Sequence, residues 1–175
     1  MKFKDKDGSD FPDWEMKLIA TVLTIGSGKD YKHLGKGNIP VFGTGGLMTY
    51  VNSFLYDGET VCIGRKGTIN KPMYYKGQIW TVDTLFYTHS FINCVPKFIY
   101  YTFKVINWLE YNEASGVPSL SKSTIEKIPI NIPTYSEQLF IANFLSSIDA
   151  KIDTERKILM RYEHQKNYLL QNMFV

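Results

Sequence analysis

From Ile141 to the end of the chain, apolar residues return at alternating steps of four and three. The seam runs through Ile141, Leu145, Ile148, Ile152, Glu155, Leu159, Tyr162, Lys166, Leu169 and Met173, and eight of its ten positions are apolar. This is a heptad pattern, which marks a helix that pairs with another helix along one stripe. A helix from about Ser136 to Met173 would be roughly 57 Å long at about 1.5 Å per residue, far longer than an ordinary globular helix of roughly 11 to 12 residues. The residues before it contain no second helix of matching length, so the pattern predicts an arm that needs a partner. Thr134-Tyr135-Ser136-Glu137 supplies a capping box just after Pro133 to start it, and Pro133-Thr134 is the natural hinge.

Before the arm the pattern is β-like. Ile39-Pro40-Val41-Phe42, Leu47-Met48-Thr49-Tyr50-Val51, Thr60-Val61-Cys62-Ile63 and Ile79-Trp80-Thr81-Val82 are short apolar or β-branched runs separated by Gly-rich turns, which implies a small curved sheet. Trp14, Leu18, Ile19 and Val22 fit a short helix or the start of a strand, and Gly26-Ser27-Gly28 breaks that pattern. Beyond Pro96, which suits a first helical turn, Phe98, Tyr101, Thr102, Val105, Ile106 and Leu109 recur at helical spacing and predict a buried helix. A loop over 113–119 follows, and the hydroxyls of Leu120-Ser121-Lys122-Ser123-Thr124-Ile125 can cap a short helix. Ile128, Ile130 and Ile132 then alternate as a strand, with Pro129 at a sheet edge or turned away from the ladder. The polar residues 1–13 lead into Phe11-Pro12-Asp13-Trp14, a strap expected to dock on the domain. The fold class is therefore α+β. A small mixed, curved β-sheet domain with helices spans 1–133, and a long coiled-coil helix spans 134–175.

Composition narrows the classes. With 44% hydrophobic and 21% charged residues, a chain of 175 residues folds instead of staying disordered, and 15% aromatic content gives it a large stacking inventory. The first twenty residues are charged where a secretory segment is apolar, and the longest apolar runs are interrupted within a few residues, so a cytoplasmic protein is expected. Cys62 and Cys94 are too few for a disulfide framework and lack zinc-site neighbours, so they are expected to be reduced and buried. The net charge of +3 belongs to residues 1–134, because 135–175 carry five basic and five acidic residues. Between Lys29 and Lys76 seven basic residues stand against three acidic ones, a local excess that suits a polyanion and is also met on ordinary solvated surfaces.

No catalytic motif appears. Gly26-Ser27-Gly28-Lys29-Asp30 fails as a phosphate loop because Leu23 and Asp30 stand where Gly and Ser or Thr are required. The glycine-rich cofactor strand and the Asn/Asp-Pro-Pro-aromatic loop of a methyltransferase are both missing from the sequence. His33, His89 and His164 have no metal or triad spacing. The candidate chemistry lies in Gly64-Arg65-Lys66-Gly67-Thr68-Ile69-Asn70-Lys71, a glycine-hinged turn after a strand. Arg pairs with guanine O6 and N7 and Asn with adenine N6 and N7, while Lys and Thr suit phosphate oxygens. A plain solvated turn would carry the same residues. Gly43-Thr44-Gly45-Gly46 reads either as a tight turn or as a surface that lets a backbone approach.

The run Ser119-Leu120-Ser121-Lys122-Ser123-Thr124-Ile125-Glu126-Lys127-Ile128-Pro129-Ile130-Asn131-Ile132-Pro133 is followed by Ser136-Glu137-Gln138-Leu139-Phe140-Ile141-Ala142-Asn143-Phe144-Leu145, by Ile148-Asp149, and by Leu169-Leu170-Gln171-Asn172-Met173-Phe174. This order resembles the specificity subunits of type I restriction-modification systems, in which a target-recognition domain ends in a proline-flanked strand and enters a conserved Glu-Gln helix. Phe11-Pro12-Asp13-Trp14, Gly37-Asn38-Ile39-Pro40-Val41 and Gly64-Arg65-Lys66-Gly67 resemble the recognition-domain pattern more loosely. Members of that family usually carry two recognition domains and two conserved helices, and this chain has one of each. The resemblance therefore implies a half-subunit that dimerises, with twofold symmetry making the contact isologous, or part of a longer subunit.

The resemblance also implies a role. The domain would read one half of a split double-stranded DNA target through Lys29, Lys32, Lys36, Thr44, Arg65, Lys66, Thr68, Asn70 and Lys71. The arm would pair antiparallel through Ile141, Leu145, Ile148, Ile152, Leu159, Tyr162, Leu169 and Met173, with Glu155 and Lys166 setting register. It would dock methyltransferase subunits and, beyond them, restriction subunits. S-adenosylmethionine, ATP and Mg would act only in those partners, leaving this chain non-catalytic, without cofactor or metal. Two other readings stay open on the residues alone: a coiled-coil protein-interaction module, with aromatic loops around Tyr74, Tyr75 and Trp80, and the recognition fragment of a DNA methyltransferase.

Overall fold

The computed structural model describes residues 3–4 and 8–174, so part of the 1–13 strap lies outside the described residues. Regular structure begins with β1 (Glu15–Leu18), which runs directly into a one-turn helix, α1 (Ile19–Val22), so the two alternatives for this segment are both realised in succession. Six strands follow: β2 (Thr24–Ser27), β3 (Lys36–Gly43), β4 (Gly46–Val51), β5 (Tyr56–Gly64), β6 (Met73–Thr81) and β7 (Leu85–His89). Then come α2 (Pro96–Val105), a 3₁₀ turn (Trp108–Tyr111), α3 (Lys122–Glu126), β8 (Pro129–Ile132) and α4 (Tyr135–Met173).

The six strands form one sheet in the order β2-β7-β5-β6-β3-β4, and β1 pairs with β8 in a separate antiparallel ribbon. The sheet is mixed because β3 and β6 run parallel while every other neighbouring pair is antiparallel. Gly58 and Gly77 stand opposite each other in the β5–β6 ladder with φ of +145° and +117°. Side chains strain in that region, so glycine suits both positions of this pair. Cys62, Ile79 and Leu85 share one cluster with Phe42, Tyr56, Met73, Tyr75 and Tyr87, while Val41, Val51, Trp80 and Val82 form a second. Both thiols are free and buried, as expected, and burial pushes Cys62 up to about 12 and Cys94 up to about 11.

Three details differ from the sequence pattern. Residues 24–27 form the edge strand β2, not a break. Gly26 lies flat under the Tyr87 ring, where a Cβ would come within 2.3 Å of the ring carbon Cζ. Tyr74, Tyr75 and Trp80 belong to strand β6, not to loops. In α2 the buried face is Phe98, Ile99 and Phe103, whereas Val105 is 82% exposed and Leu109 falls outside the helix and is also exposed. The helix stops at Val105, and the indole of Trp108 folds back to donate to Phe103 O at 2.8 Å. Apolar residues on α2 fit two stripes at helical spacing, and packing against β5 and β6 selects the one with Ile99 and Phe103.

The start of α4 is fixed by named contacts. Thr134 Oγ1 accepts from Glu137 N at 3.4 Å, giving one half of the capping box. The Glu137 carboxylate does not reach back. Instead it accepts from Trp14 Nε1 at 3.2 Å, and the Trp14 ring packs edge-on against Phe98, so the strap does dock. Gln138 is buried and fully engaged: its Oε1 accepts from Val95 N at 2.8 Å, and its Nε2 donates to Asn93 O at 3.1 Å and Pro133 O at 3.0 Å. The chain divides into two compact units between Leu139 and Phe140. α4 has 39 residues and is roughly 58 Å long, and every residue from Lys151 to Phe174 is exposed.

Candidate nucleic-acid interface

At the end of β5 the backbone doubles back. A Cβ on Gly64 would lie 2.1 Å from Thr68 O, so only glycine permits residues 65–72 to fold onto their own strand. Ile69, 1% exposed, anchors this loop from inside, which leaves Arg65, Lys66, Asn70 and Lys71 exposed and Thr68 half-buried.

Backbone hydrogen bonds hold the basic turn on both sides. Arg65 N and Lys66 N donate to Thr84 O at 2.8 and 3.3 Å. Opposite them, Gly67 N donates to Pro118 O at 2.8 Å, Leu120 N donates to Arg65 O at 2.9 Å, and Lys66 bridges Ser119. The Arg65 guanidinium rests 5.9 Å over the Phe86 ring and donates to Asp83 O at 3.4 Å. Thr44, at the β3–β4 turn, lies beside the same loop, its hydroxyl 3.5 Å from where a Cβ on Gly67 would stand. Lys29 is tied to the end of β6, donating from its N to Thr81 O at 2.8 Å and accepting from Trp80 Nε1 at 2.9 Å.

Thus Thr44, Arg65 and Lys66 are brought together, and Lys29 is fixed to a neighbouring strand end. Asn70 and Lys71 occupy the outer limb of the same loop. Lys32 sits in the turn closed by Leu34 N on Tyr31 O, and Lys36 opens β3 at the opposite end of that strand from Thr44, so the structure does not gather it with the basic turn.

Beside Arg65 and Lys66 runs a groove of about 450 Å³, lined also by Phe86, Leu120 and the polar residues Ser27, Glu113, Ser119, Ser121 and Lys122. The last five escaped the sequence reading as site residues. The hydroxyls of residues 120–125 are expected to cap a short helix and the run 119–133 carries the family resemblance; the cap is there, since Ser121 Oγ accepts from Thr124 N at 3.1 Å. Hydrogen bonds from the Thr124 and Ser121 hydroxyls hold the Glu113 carboxyl below its ordinary value. Burial and the nearby Lys122 charge push His89 down. Three cations, several hydroxyls and two apolar side chains in one open groove can neutralise phosphates and present donors to base edges. Among the described residues no group of His, Cys, Asp or Glu is placed to hold a metal ion, and no helix is long and apolar enough to cross a membrane.

On α4 the seam residues differ in exposure. Ile141 is already buried and Leu145 half-buried, whereas Ile148, Ile152, Leu159, Tyr162, Leu169 and Met173 are exposed, at 38% to 71%. Glu155 and Lys166 are exposed as well.

The family model described as the type I restriction modification DNA specificity domain matches residues 12–163. A type I restriction enzyme specificity subunit of Methanocaldococcus jannaschii is 27% identical over 204 aligned positions, covering 99% of this chain and 47% of that protein. Another, from Escherichia coli, is 24% identical over 111 residues, covering 63% and 28%. The crystal structure of the type I restriction-modification S subunit from M. genitalium superposes with a TM-score of 0.72 at 15% identity, over 88% of this chain and 42% of that one. The chain spans less than half the length of these curated relatives.

Proposed function

The chain belongs to the family of type I restriction-modification DNA specificity domains, and from that premise we propose that residues 1–133 read one half of a split DNA target while residues 134–175 pair with a second conserved helix. The observation that carries the reading is the groove in which Arg65, Lys66 and Lys122 meet. Arg65 and Lys66 lie on a backbone hydrogen-bonded from both sides, and Lys122 opens α3 across the groove, so they offer fixed positions to a polyanion. Lys29, Lys71 and the hydroxyl of Thr44 extend the phosphate-contacting set, and Arg65 and Asn70 are the base readers.

In this reading the exposed stripe of α4 meets its equivalent in an antiparallel pair. The second helix and second recognition domain come from another copy of the chain or from the remainder of a longer subunit. DNA advances about 34 to 36 Å per turn, so an arm of roughly 58 Å spaces the half-sites by about one turn or slightly more. Methyl transfer from S-adenosylmethionine, and ATP- and Mg-dependent cleavage, belong to partner subunits that dock on this cytoplasmic, non-catalytic chain.

The test is a mobility-shift or protection assay of the complex with its methyltransferase subunit, on split targets and on scrambled duplexes of equal length. Preference for one split target supports the reading, and equal binding to all duplexes overturns it.

A further inference from the structure

Residues 112–121 form the second wall of the groove, and the side chain of Asn112, with that of Glu113 beside it, closes them into shape. Asn112 Oδ1 accepts from Ala114 N at 3.1 Å and from Ser119 N at 2.9 Å, and its Nδ2 donates to Ala114 O at 2.7 Å. Next to it, Glu113 N donates to Ser119 O at 3.0 Å, and Glu113 Oε1 accepts from Ser121 N at 3.2 Å and Ser121 Oγ at 2.7 Å. The closed loop then presents Pro118 O and Leu120 N, the two groups that clasp the backbone on either side of Lys66.

We propose that Asn112, which lies outside the set expected to touch DNA, is a positioning residue for base readout. It fixes the loop that holds Arg65 and Lys66 in register, and so governs discrimination between sequences more than overall attraction to DNA. The inference rests on the DNA reading above. Its physical basis is that phosphate attraction needs only cations nearby, whereas pairing with a base edge needs a donor held in one place. Loosening residues 112–121 leaves Arg65, Lys66 and Lys122 charged and exposed. It removes the fixed frame beneath Arg65.

The experiment compares the wild-type complex with Asn112→Ala and Asn112→Asp on cognate and scrambled duplexes across a salt series. Asp keeps the acceptor for Ala114 N and Ser119 N. Asn112→Ala is expected to lower cognate affinity by about tenfold or more while scrambled-duplex affinity stays within about twofold and the salt slope is unchanged. Asn112→Asp, which keeps both amide contacts but sets a carboxylate oxygen against Ala114 O, is expected to restore part of the discrimination. Amide exchange at Gly67 and Leu120 in the complex should quicken in Asn112→Ala and return towards wild type in Asn112→Asp.

Faster exchange at those amides with an unchanged cognate-to-scrambled ratio overturns the proposal, as does an equal loss on both duplexes that tracks a lower melting temperature. A wild-type complex that fails to discriminate overturns the DNA reading itself and this inference with it, an outcome distinct from the other two.

Discussion

Residues up to Leu139 bury Trp108, Phe103, Ile99 and Ile125 almost completely, while residues 151–174 leave Ile152, Leu159, Tyr162, Leu169 and Met173 exposed along one helix. Both regions are rich in large apolar side chains. The first has strands and short helices of differing direction that close around one another. The second is a single helix whose stripe has nothing to close on within itself, the pattern of a helix that suits pairing with another. Apolar content alone therefore does not tell a core from an interface. The arrangement of elements around it does.

The sharpest way to break this contrast is Ile148→Glu. If the stripe is an interface, an unpaired carboxylate in it costs about 4 kcal/mol, roughly a thousandfold in association, and light scattering should show the mass fall to that of one chain. An unchanged mass removes Ile148 from the contact. The equivalent lesion in the self-closed region is Gln138→Ala. It strands Val95 N–H and two carbonyls in a buried site, and is expected to cost roughly 3 kcal/mol in urea unfolding without altering association.

Smaller effects separate readout from attraction. Arg65→Ala should relax base preference at one position by about 1 to 3 kcal/mol, whereas Lys71→Ala should weaken all duplexes alike and shallow the salt slope. Equal effects from both changes on every sequence remove Arg65 from the readout set. Thr134→Ala removes the cap at the start of α4 and is expected to cost about 0.5 to 1 kcal/mol in the same urea assay, its long 3.4 Å bond placing it near the lower figure.

The smallest effect is on pH. Because the folded Glu113 carboxyl titrates below its ordinary 4.5, its contribution is complete above that value and is lost as pH falls through the depressed one. An NMR titration of the Ser121 amide should show its transition below 4.5. A transition at or above that value shows that the hydroxyl contacts do not favour the carboxylate.

Much of the architecture was legible because it is local. The four strands read from β-branched runs lie within β3, β4, β5 and β6 or, at Val82, one residue past it, and the long helix begins one residue from its expected start. What stayed hidden depends on distant neighbours. β2 contains a single buried apolar residue, Ile25, and is a strand because β7 offers it a ladder and Gly26 makes room for Tyr87. The buried face of α2 is decided by the sheet beneath it. In the candidate site, the Arg-Lys turn was visible as a motif, but Lys122 and Glu113 line its groove because Pro118 O and Leu120 N clasp their segment to the turn, contacts that no spacing rule reports. The Glu137-Gln138 pair was recognisable as a signature, and the structure supplies its physical meaning: one residue holds Trp14, and the other saturates the backbone around residues 93–95 and 133.

The backbone of the basic turn is clasped by main-chain bonds: Arg65 N and Lys66 N on Thr84 O, Gly67 N on Pro118 O, and Leu120 N on Arg65 O. Any residue except proline supplies those N–H groups, and every residue supplies a carbonyl. Side chains at positions 65, 66 and 119 are thus interchangeable as far as those main-chain bonds are concerned, so substitutions there can change what the groove presents while the clasp beneath it persists.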